Sequence, residues 1–414
     1  MSPTAWTATE PTAPTATAPD LPGLAALIGA AQVPDFLQNG LGRQAWRARL
    51  ADGQASGLFG WPQLNAALAE HRLTPPRLRL ERAGGDATAG LFRSRRTRRG
   101  AALLDLDPVV LMERLREGAT LIVDSVNELN RPLSALCARL SAEFVAACQA
   151  NMYACWGTTQ GFDVHWDDHD VFVVQIEGRK AWTLYGVTEA WPTRRGRGAQ
   201  ASPPETPIER TVLEPGDVLY LPRGYWHAAV GLGGPAMHLT IGLTRKSGAD
   251  FLHWLADELL EAPEIRADLP LEADGTATAA RIATMLARLG EADPQDLARR
   301  YRRYVESMLV QRPMLSFPDI GAQEAVLPPE RRLKLAPGPA RLEQGGEAVV
   351  LSWRGVEFTL SPRLAPPVRR MLAGETVSSA EFAAAAPDNG QPEVQAFLRE
   401  MVRRGAFVVA REGD

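Results

Sequence analysis

Along the middle of the chain, apolar residues come in short dense runs, and Gly and Pro interrupt them at close intervals. Residues 171–176, Val-Phe-Val-Val-Gln-Ile, are β-branched or aromatic at nearly every position, which is the composition of a strand. Glu177-Gly178-Arg179 reads as a turn and residues 180–185 as a second strand, so the two runs predict a hairpin. Further on, Pro215-Gly216-Asp217 and Pro222-Arg223-Gly224 bracket a short apolar strand at 218–221, and another strand follows at 225–230. Such strands predict a small antiparallel barrel or jelly roll, whose mouth can hold a metal and a small ligand.

On either side of this region the period lengthens. Helices are expected over 132–150, leading into the barrel. After it, Ser247 is an N-cap with Asp250 three residues on, and Phe251, Leu252, Trp254, Leu255, Leu259 and Leu260 recur at helical spacing. Two more helices are expected, one carrying Ala279, Ile282, Ala283, Met285, Leu286 and Leu289, the other spanning 295–310. Their apolar faces need cover. In the last hundred residues, 348–353 and 356–360 form a hairpin around Arg354-Gly355, helices follow at 367–372, 379–385 and 392–404, and 406–410 is a closing strand. Residues 1–20, rich in Thr, Pro and Ala, cannot bury a core and are expected to be a disordered tail. The chain thus reads as an α+β protein divided into a tail (1–20), a barrel unit (21–246), a helical region (247–312) and a compact C-terminal unit (313–414).

Composition changes this picture little. With 414 residues, 45% hydrophobic and 23% charged, the chain is ordinary for a soluble globular protein of two or three domains. No apolar run reaches the roughly 20 residues needed to cross a bilayer, and the start lacks the basic and apolar blocks of a signal peptide. A cytoplasmic protein without a membrane partner is expected. The three cysteines, Cys137, Cys148 and Cys155, do not make a disulfide framework. A net charge of -4 argues against a strong nucleic-acid footprint. The basic run 93–99 reads as a solvated loop that could steer an acidic or ribonucleoprotein substrate.

The candidate chemistry lies at His165-Trp166-Asp167 and, sixty residues later, His227. On a strand, residues two apart face the same side, so His165 and Asp167 would aim a ring nitrogen and a carboxylate oxygen at one point, with a third ligand from another strand. Two His and one carboxylate on one face of an octahedron leave three open positions, the arrangement of non-haem iron(II) oxygenases. With six histidines in the chain, an isolated His-x-Asp arises by chance in about one such chain in three. Lys180 adds weight: it shares a strand face with Trp182 and Leu184, is expected to point inward, and once buried needs an anion, which the distal carboxylate of 2-oxoglutarate would supply. His169 has the strand parity of a fourth ligand but reads as an outer or surface group, and Asp168 faces the other way. His238 opens a strand over 238–243 as a packed group; Thr240 on that strand can offer a hydroxyl to the co-substrate. Cys155, which shares a face with Asn151 and Tyr153, reads as a small packed side chain. His71 and His253 fit no constellation.

These residues sit in two longer blocks. The first contains Asn151-Met152-Tyr153, Gln160-Gly161-Phe162, His165-Trp166-Asp167-Asp168, Val171-Phe172-Val173-Val174-Gln175 and Glu177-Gly178-Arg179-Lys180-Ala181-Trp182; the second runs from Leu213-Glu214-Pro215-Gly216-Asp217 through Arg223-Gly224 to His227. Together they resemble the JmjC-type ribosomal oxygenases, over most of residues 21–246. The resemblance implies a double-stranded β-helix of the cupin type, iron(II) held by His165, Asp167 and His227, and 2-oxoglutarate held by Lys180, with Tyr153 close to the co-substrate and Asn151 able to touch the substrate. It also implies that the helical region forms a homodimer and that the C-terminal unit is winged-helix-like. The sequence departs from the family at Trp166, where tyrosine is common, at Trp156-Gly157-Thr158-Thr159, which replaces a proline-containing run, and at Gly242, where a serine is common.

The expected activity is therefore hydroxylation of a protein or peptide side chain, of the ribosomal-protein His or Arg type, using iron(II), 2-oxoglutarate and dioxygen. Hydroxylation of a ribosomally made natural-product precursor peptide is the alternative that the altered substrate-side residues suit. Demethylation of N-methyl lysine would use the same iron chemistry and release formaldehyde. A non-catalytic cupin-like binding module or a winged-helix regulator is the reading of a different class.

Overall fold

The computed structural model describes residues 22–193, 202–270, 275–309, 327–345, 348–385 and 391–410. The tail expected over 1–20 and the boundary expected at 312 lie outside the described residues. Up to residue 246 the described residues form β1 (Trp46–Arg49), β2 (Leu78–Arg82), β3 (Gly85–Asp86), β4 (Phe92–Arg96), β5 (Ala102–Leu106), β6 (Thr120–Val123), β7 (Ala147–Cys155), β8 (Asp170–Glu177), β9 (Lys180–Val187), β10 (Glu209–Leu213), β11 (Asp217–Leu221), β12 (Tyr225–Gly231) and β13 (Ala236–Thr244). One sheet has the order β1-β11-β8-β13-β7-β6-β2-β3, and a smaller one the order β10-β9-β12.

The two sheets face each other across an apolar interior. Val171 and Val173 of β8 and Leu219 and Leu221 of β11 pack there with Trp182 and Leu184 of β9, Leu213 of β10 and Tyr225 of β12. The alternate residues of β8, Phe172, Val174 and Ile176, lie in a separate core with Leu24, Leu64 and Leu133 of the helices Pro22–Ile28, Trp61–Glu70 and Arg131–Phe144. Covered on both faces, β8 has no solvent side, which is why its sequence is apolar almost without alternation.

The expected hairpin of β8 and β9 does not form, although both strands and the turn between them do. β8 already has β11 on one edge and β13 on the other, so β9 crosses to the smaller sheet and pairs with β10 and β12. Gly178 makes the crossing: its φ is 61°, and a Cβ there would lie 2.2 Å from the Pro235 carbonyl oxygen. β11 and β12 likewise follow each other but belong to opposite sheets. This exchange between facing sheets is the jelly-roll arrangement.

Two other expectations are corrected. The helix expected over 132–150 ends at Phe144, where Val145 adopts a left-handed conformation, and 147–150 are taken into β7, which pairs along its whole length with β13. The basic run is a hairpin rather than a loop, with β4 paired to β5 and Arg93 and Arg95 bound to Asp107 and Asp105.

Beyond the barrel, the helix Gly248–Glu258 begins with the expected Ser247–Asp250 capping box, and Thr276–Gly290 and Pro294–Met308 follow. The last unit contains β14 (Arg332–Leu335), β15 (Ala340–Gly345), β16 (Ala348–Trp353), β17 (Val356–Leu360), β18 (Val377–Ser378) and β19 (Phe407–Val409), with helices Ala365–Leu372, Ser379–Ala384 and Gln391–Arg403. It has its own core, including Leu333, Leu351, Val368, Phe382, Leu398 and Phe407. Among the described residues, no helix is long and apolar enough to cross a membrane.

Candidate metal centre

His165 and Asp167 do not lie on a strand. β8 begins only at Asp170, and the preceding segment is a loop tied to β12 by one isolated bridge: His165 N donates to His227 O at 3.1 Å and His227 N to His165 O at 2.8 Å. The loop is held again where Gly224 N donates to Asp167 O, 2.8 Å. Convergence therefore comes from backbone pairing across sixty residues and not from strand parity.

The side chains are prepared by the same backbone. His165 Nδ1 lies 2.8 Å from Asp163 O, and His227 Nδ1 lies 2.8 Å from Tyr225 O. A carbonyl oxygen can only accept, so each Nδ1 carries a proton and Nε2 is the ring atom left to face a metal. Burial, and next the nearby His165, push the His227 pKa down to about 4, which favours the neutral form that ligates. His227 Nε2 is 3.8 Å from Asp167 Oδ2, and ligand atoms of His165, Asp167 and His227 all lie within 4.8 Å of one another. Two imidazole nitrogens and one carboxylate fit a divalent transition metal with open positions.

Behind the three residues lies a chamber of buried polar groups. Lys180, 4% exposed, points inward from β9, and among the described residues no carboxylate pairs with it. Burial lowers its pKa, while a hydrogen bond to the Cys155 thiol acts the other way. Trp182, two residues on, stacks on His227 at 5.8 Å between ring centroids and meets His238 edge-on at 5.5 Å. His238 in turn stacks on Tyr153 at 4.9 Å. Trp182 Nε1, His238 Nδ1 and Gln175 Oε1 are buried without a partner among the described residues. Unpaired buried polar atoms are costly, so several in one interior call for a polar partner there, a ligand or water. Burial first, then Lys180 and His227, hold the His238 pKa well below its ordinary value, so this ring is neutral.

Tyr153 stands between the chamber and the metal residues. Its hydroxyl pKa is raised by burial and then by the Asp167 and Asp124 carboxylates, so it remains a donor. Asn151 Oδ1 is taken up by the scaffold, accepting from Ser125 N and from Gln149 Nε2, both at 2.9 Å. Thr240, half-buried on β13, pairs in register with Asn151 on one side and Val173 on the other. His169 is not among the converging ligands. Its Nδ1 is 3.1 Å from Asp168 Oδ1, and its ring lies over Gly242, where a Cβ would come within 2.8 Å of Cδ2 and Nε2. Sequence reasoning missed the roles of Trp182, Gln175 and His238 beside the site. Parity was a usable signal for two of them, since Trp182 shares a strand face with Lys180 and His238 with Thr240, whereas β8 carries no named candidate that could have pointed to Gln175.

The JmjC domain family matches residues 127–251. The chain is 32% identical over 178 residues to ribosomal oxygenase 1 of Gallus gallus, covering 41% of this chain and 30% of that protein. It is 39% identical over 98 residues to the bifunctional lysine-specific demethylase and histidyl-hydroxylase NO66 of Drosophila persimilis, covering 24% of this chain and 14% of that one. The chain thus spans less than a third of the length of these curated relatives. The solved structure of the Escherichia coli ribosomal oxygenase YcfD matches 91% of this chain and 98% of its own with a TM-score of 0.58 at 18% identity. A further YcfD structure, in complex with cobalt and 2-oxoglutarate, matches with a TM-score of 0.57 at 19% identity. The resemblance read from the sequence is borne out, and the jelly roll is a JmjC, cupin-like fold carrying both helices and sheets.

Proposed function

We propose that this protein is an iron(II)- and 2-oxoglutarate-dependent oxygenase that hydroxylates an amino-acid side chain of a protein or peptide. The observation that carries this is the convergence of His165, Asp167 and His227 beside a chamber whose buried Lys180 has no carboxylate partner among the described residues. The names of the relatives support it: the Drosophila protein is a demethylase and histidyl-hydroxylase, and YcfD is a ribosomal oxygenase seen with 2-oxoglutarate. His165, Asp167 and His227 would hold the metal by two Nε2 atoms and a carboxylate. Lys180 would neutralise the distal carboxylate of 2-oxoglutarate, with Tyr153 and Thr240 offering hydroxyls along its length. When bound, iron and 2-oxoglutarate supply oxidation of an unactivated C–H bond by dioxygen, the co-substrate leaving as succinate and carbon dioxide. The chain supplies orientation and a water-poor chamber walled by Trp182 and His238. Asn151, with its oxygen fixed on Ser125, would turn its amide nitrogen to the substrate.

The rest of the chain fits an assembly around this centre. We read 21–246 as the catalytic domain, 247–312 as a dimerisation region and 313–414 as a winged-helix-like unit, in a cytoplasmic homodimer. Helix Thr276–Gly290 has no buried residue, and Ile282 and Leu286 are 46% and 61% exposed, an apolar face that a second copy would cover.

Mass spectrometry of intact ribosomal proteins from cells with and without this gene tests the substrate. One ribosomal protein lacking a single oxygen atom in the deletion supports the ribosomal type. No change there, with purified protein still forming succinate on a precursor peptide, favours the natural-product alternative. Formaldehyde release from a methyl-lysine peptide would redirect the reading to demethylation, and no succinate with any substrate would leave only a binding module.

A further inference from the structure

We propose that Cys155 is a positioning residue of the co-substrate chamber, holding the Lys180 ammonium at the depth where it meets the distal carboxylate of a 2-oxo dicarboxylic acid. The proposal rests on the co-substrate reading above and concerns a residue to which that reading gives no role. Cys155 ends β7 on the inward-facing series that includes Asn151 and Tyr153, and it is buried. Its thiol reaches across the interior to the smaller sheet. Gly231 of β12 is the register partner of Lys180, and a Cβ on Gly231 would stand 2.9 Å from Cys155 Sγ and 2.4 Å from the Gly157 carbonyl oxygen. The sulfur therefore lies beside the Lys180–Gly231 pair, and Cys155 is the side chain whose charge and hydrogen bonding act against the burial of the Lys180 ammonium. Independent of the thiol, Trp182 Nε1 and His238 Nδ1 are buried in the same interior without partners among the described residues, and so have hydrogen bonds to offer a polar ligand.

The chemistry of the contact suits a holding role. A lysine side chain has four rotatable bonds, and an ammonium without an anchor would spread over several positions, at a cost in rotamer entropy when a ligand arrives. A carboxylate anchor would fix it, but would also cancel its charge and repel an incoming dianion. A thiol is a weak acceptor. It orients the ammonium and leaves the full charge for the ligand. Because the sulfur sits on the large sheet and the lysine on the small one, their contact sets the distance from ammonium to metal residues, and with it the length of acid that fits.

Calorimetry on the full chain loaded with manganese(II) in place of iron reads binding without turnover. Against wild type, Cys155→Val is expected to raise the Kd for 2-oxoglutarate about tenfold, the loss of one hydrogen bond to a charged group. Cys155→Ser, which keeps an acceptor, is expected to stay within about threefold of wild type, and manganese affinity is expected to be unchanged in both. The ratio of the Kd values for 2-oxoadipate and 2-oxoglutarate should move toward one in Cys155→Val, which a merely structural defect would not cause. If the valine variant does not fold, Cys155→Ala makes the same comparison without the added bulk. Unchanged 2-oxoglutarate affinity and unchanged chain-length preference in the valine or alanine variant overturn the role of Cys155. If manganese-loaded wild type itself fails to bind 2-oxoglutarate, it is the co-substrate reading that falls.

Discussion

His165 and His227 each spend one ring nitrogen on a backbone carbonyl, at Asp163 and Tyr225, and this choice of partner leaves the other nitrogen for a metal. His169, only two residues beyond Asp167, spends its ring differently, filling the space over Gly242. A glycine on the inner face of β13 and an imidazole from the neighbouring loop are thus two halves of one packing solution. Gly242→Ala is expected to destabilise the protein by about 1–3 kcal/mol through overpacking against that ring. The same change in a His169→Ala background is expected to cost little, because the space is then free. Denaturant unfolding of the two single variants and the double variant checks this, and additive losses would remove the coupling. The departure at 242 was legible as a departure; its meaning was not, because nothing local in the sequence places residue 169 against residue 242.

At the scale of elements, periodicity identified strands and turns more reliably than partners. The runs now seen as β8, β9, β11 and β12 were all readable, as were the hairpin β16–β17 and the Ser247–Asp250 cap, since each is decided by neighbours in sequence. What could not be read was the crossing between sheets after β8. A hairpin and a sheet-crossing corner share the signature of strand, glycine turn and strand, and the difference lies in whether the edge of β8 is already taken, which depends on β11 and β13 far along the chain. His165 and Asp167 were assigned together on strand parity, yet they converge from a loop through the bridge to His227. The helix Thr276–Gly290 belongs to this scale too. Leu286→Glu would place a charge in its uncovered apolar face, and light scattering after gel filtration is expected to find wild type as a dimer and the variant as a monomer, with the melting temperature of the barrel little changed. A wild-type monomer at micromolar concentration would contradict the dimer.

For the whole molecule, the parts fit a division of labour. The large sheet is cemented to its helices by a core that includes Phe172, Val174 and Leu239, while the opposite face of the same strands turns toward the site. Asp170, buried at the start of β8, accepts from Arg245 Nε at 2.6 Å and from Arg223 N at 3.0 Å, so the turn before β12 and the residue after β13 are anchored to one carboxylate. Strands thus carry His227, Lys180, Tyr153 and Thr240, and the loop with His165 and Asp167 is pinned to one of them by the bridge to His227. The cofactor was readable and the substrate was not: a ligand set is a matter of a few residue types, whereas a mouth is a shape assembled from distant segments. The most direct measurement is calorimetric titration of manganese(II) into metal-free protein, wild type and His165→Ala, followed by 2-oxoglutarate. One ion per chain is expected in wild type, and 2-oxoglutarate is expected to bind only after it. His165→Ala should lose metal affinity by more than the roughly 10–100-fold that removal of an outer hydrogen-bond partner costs. Metal binding of equal strength in His165→Ala, or 2-oxoglutarate binding that ignores the metal, would contradict a centre built on His165, Asp167 and His227.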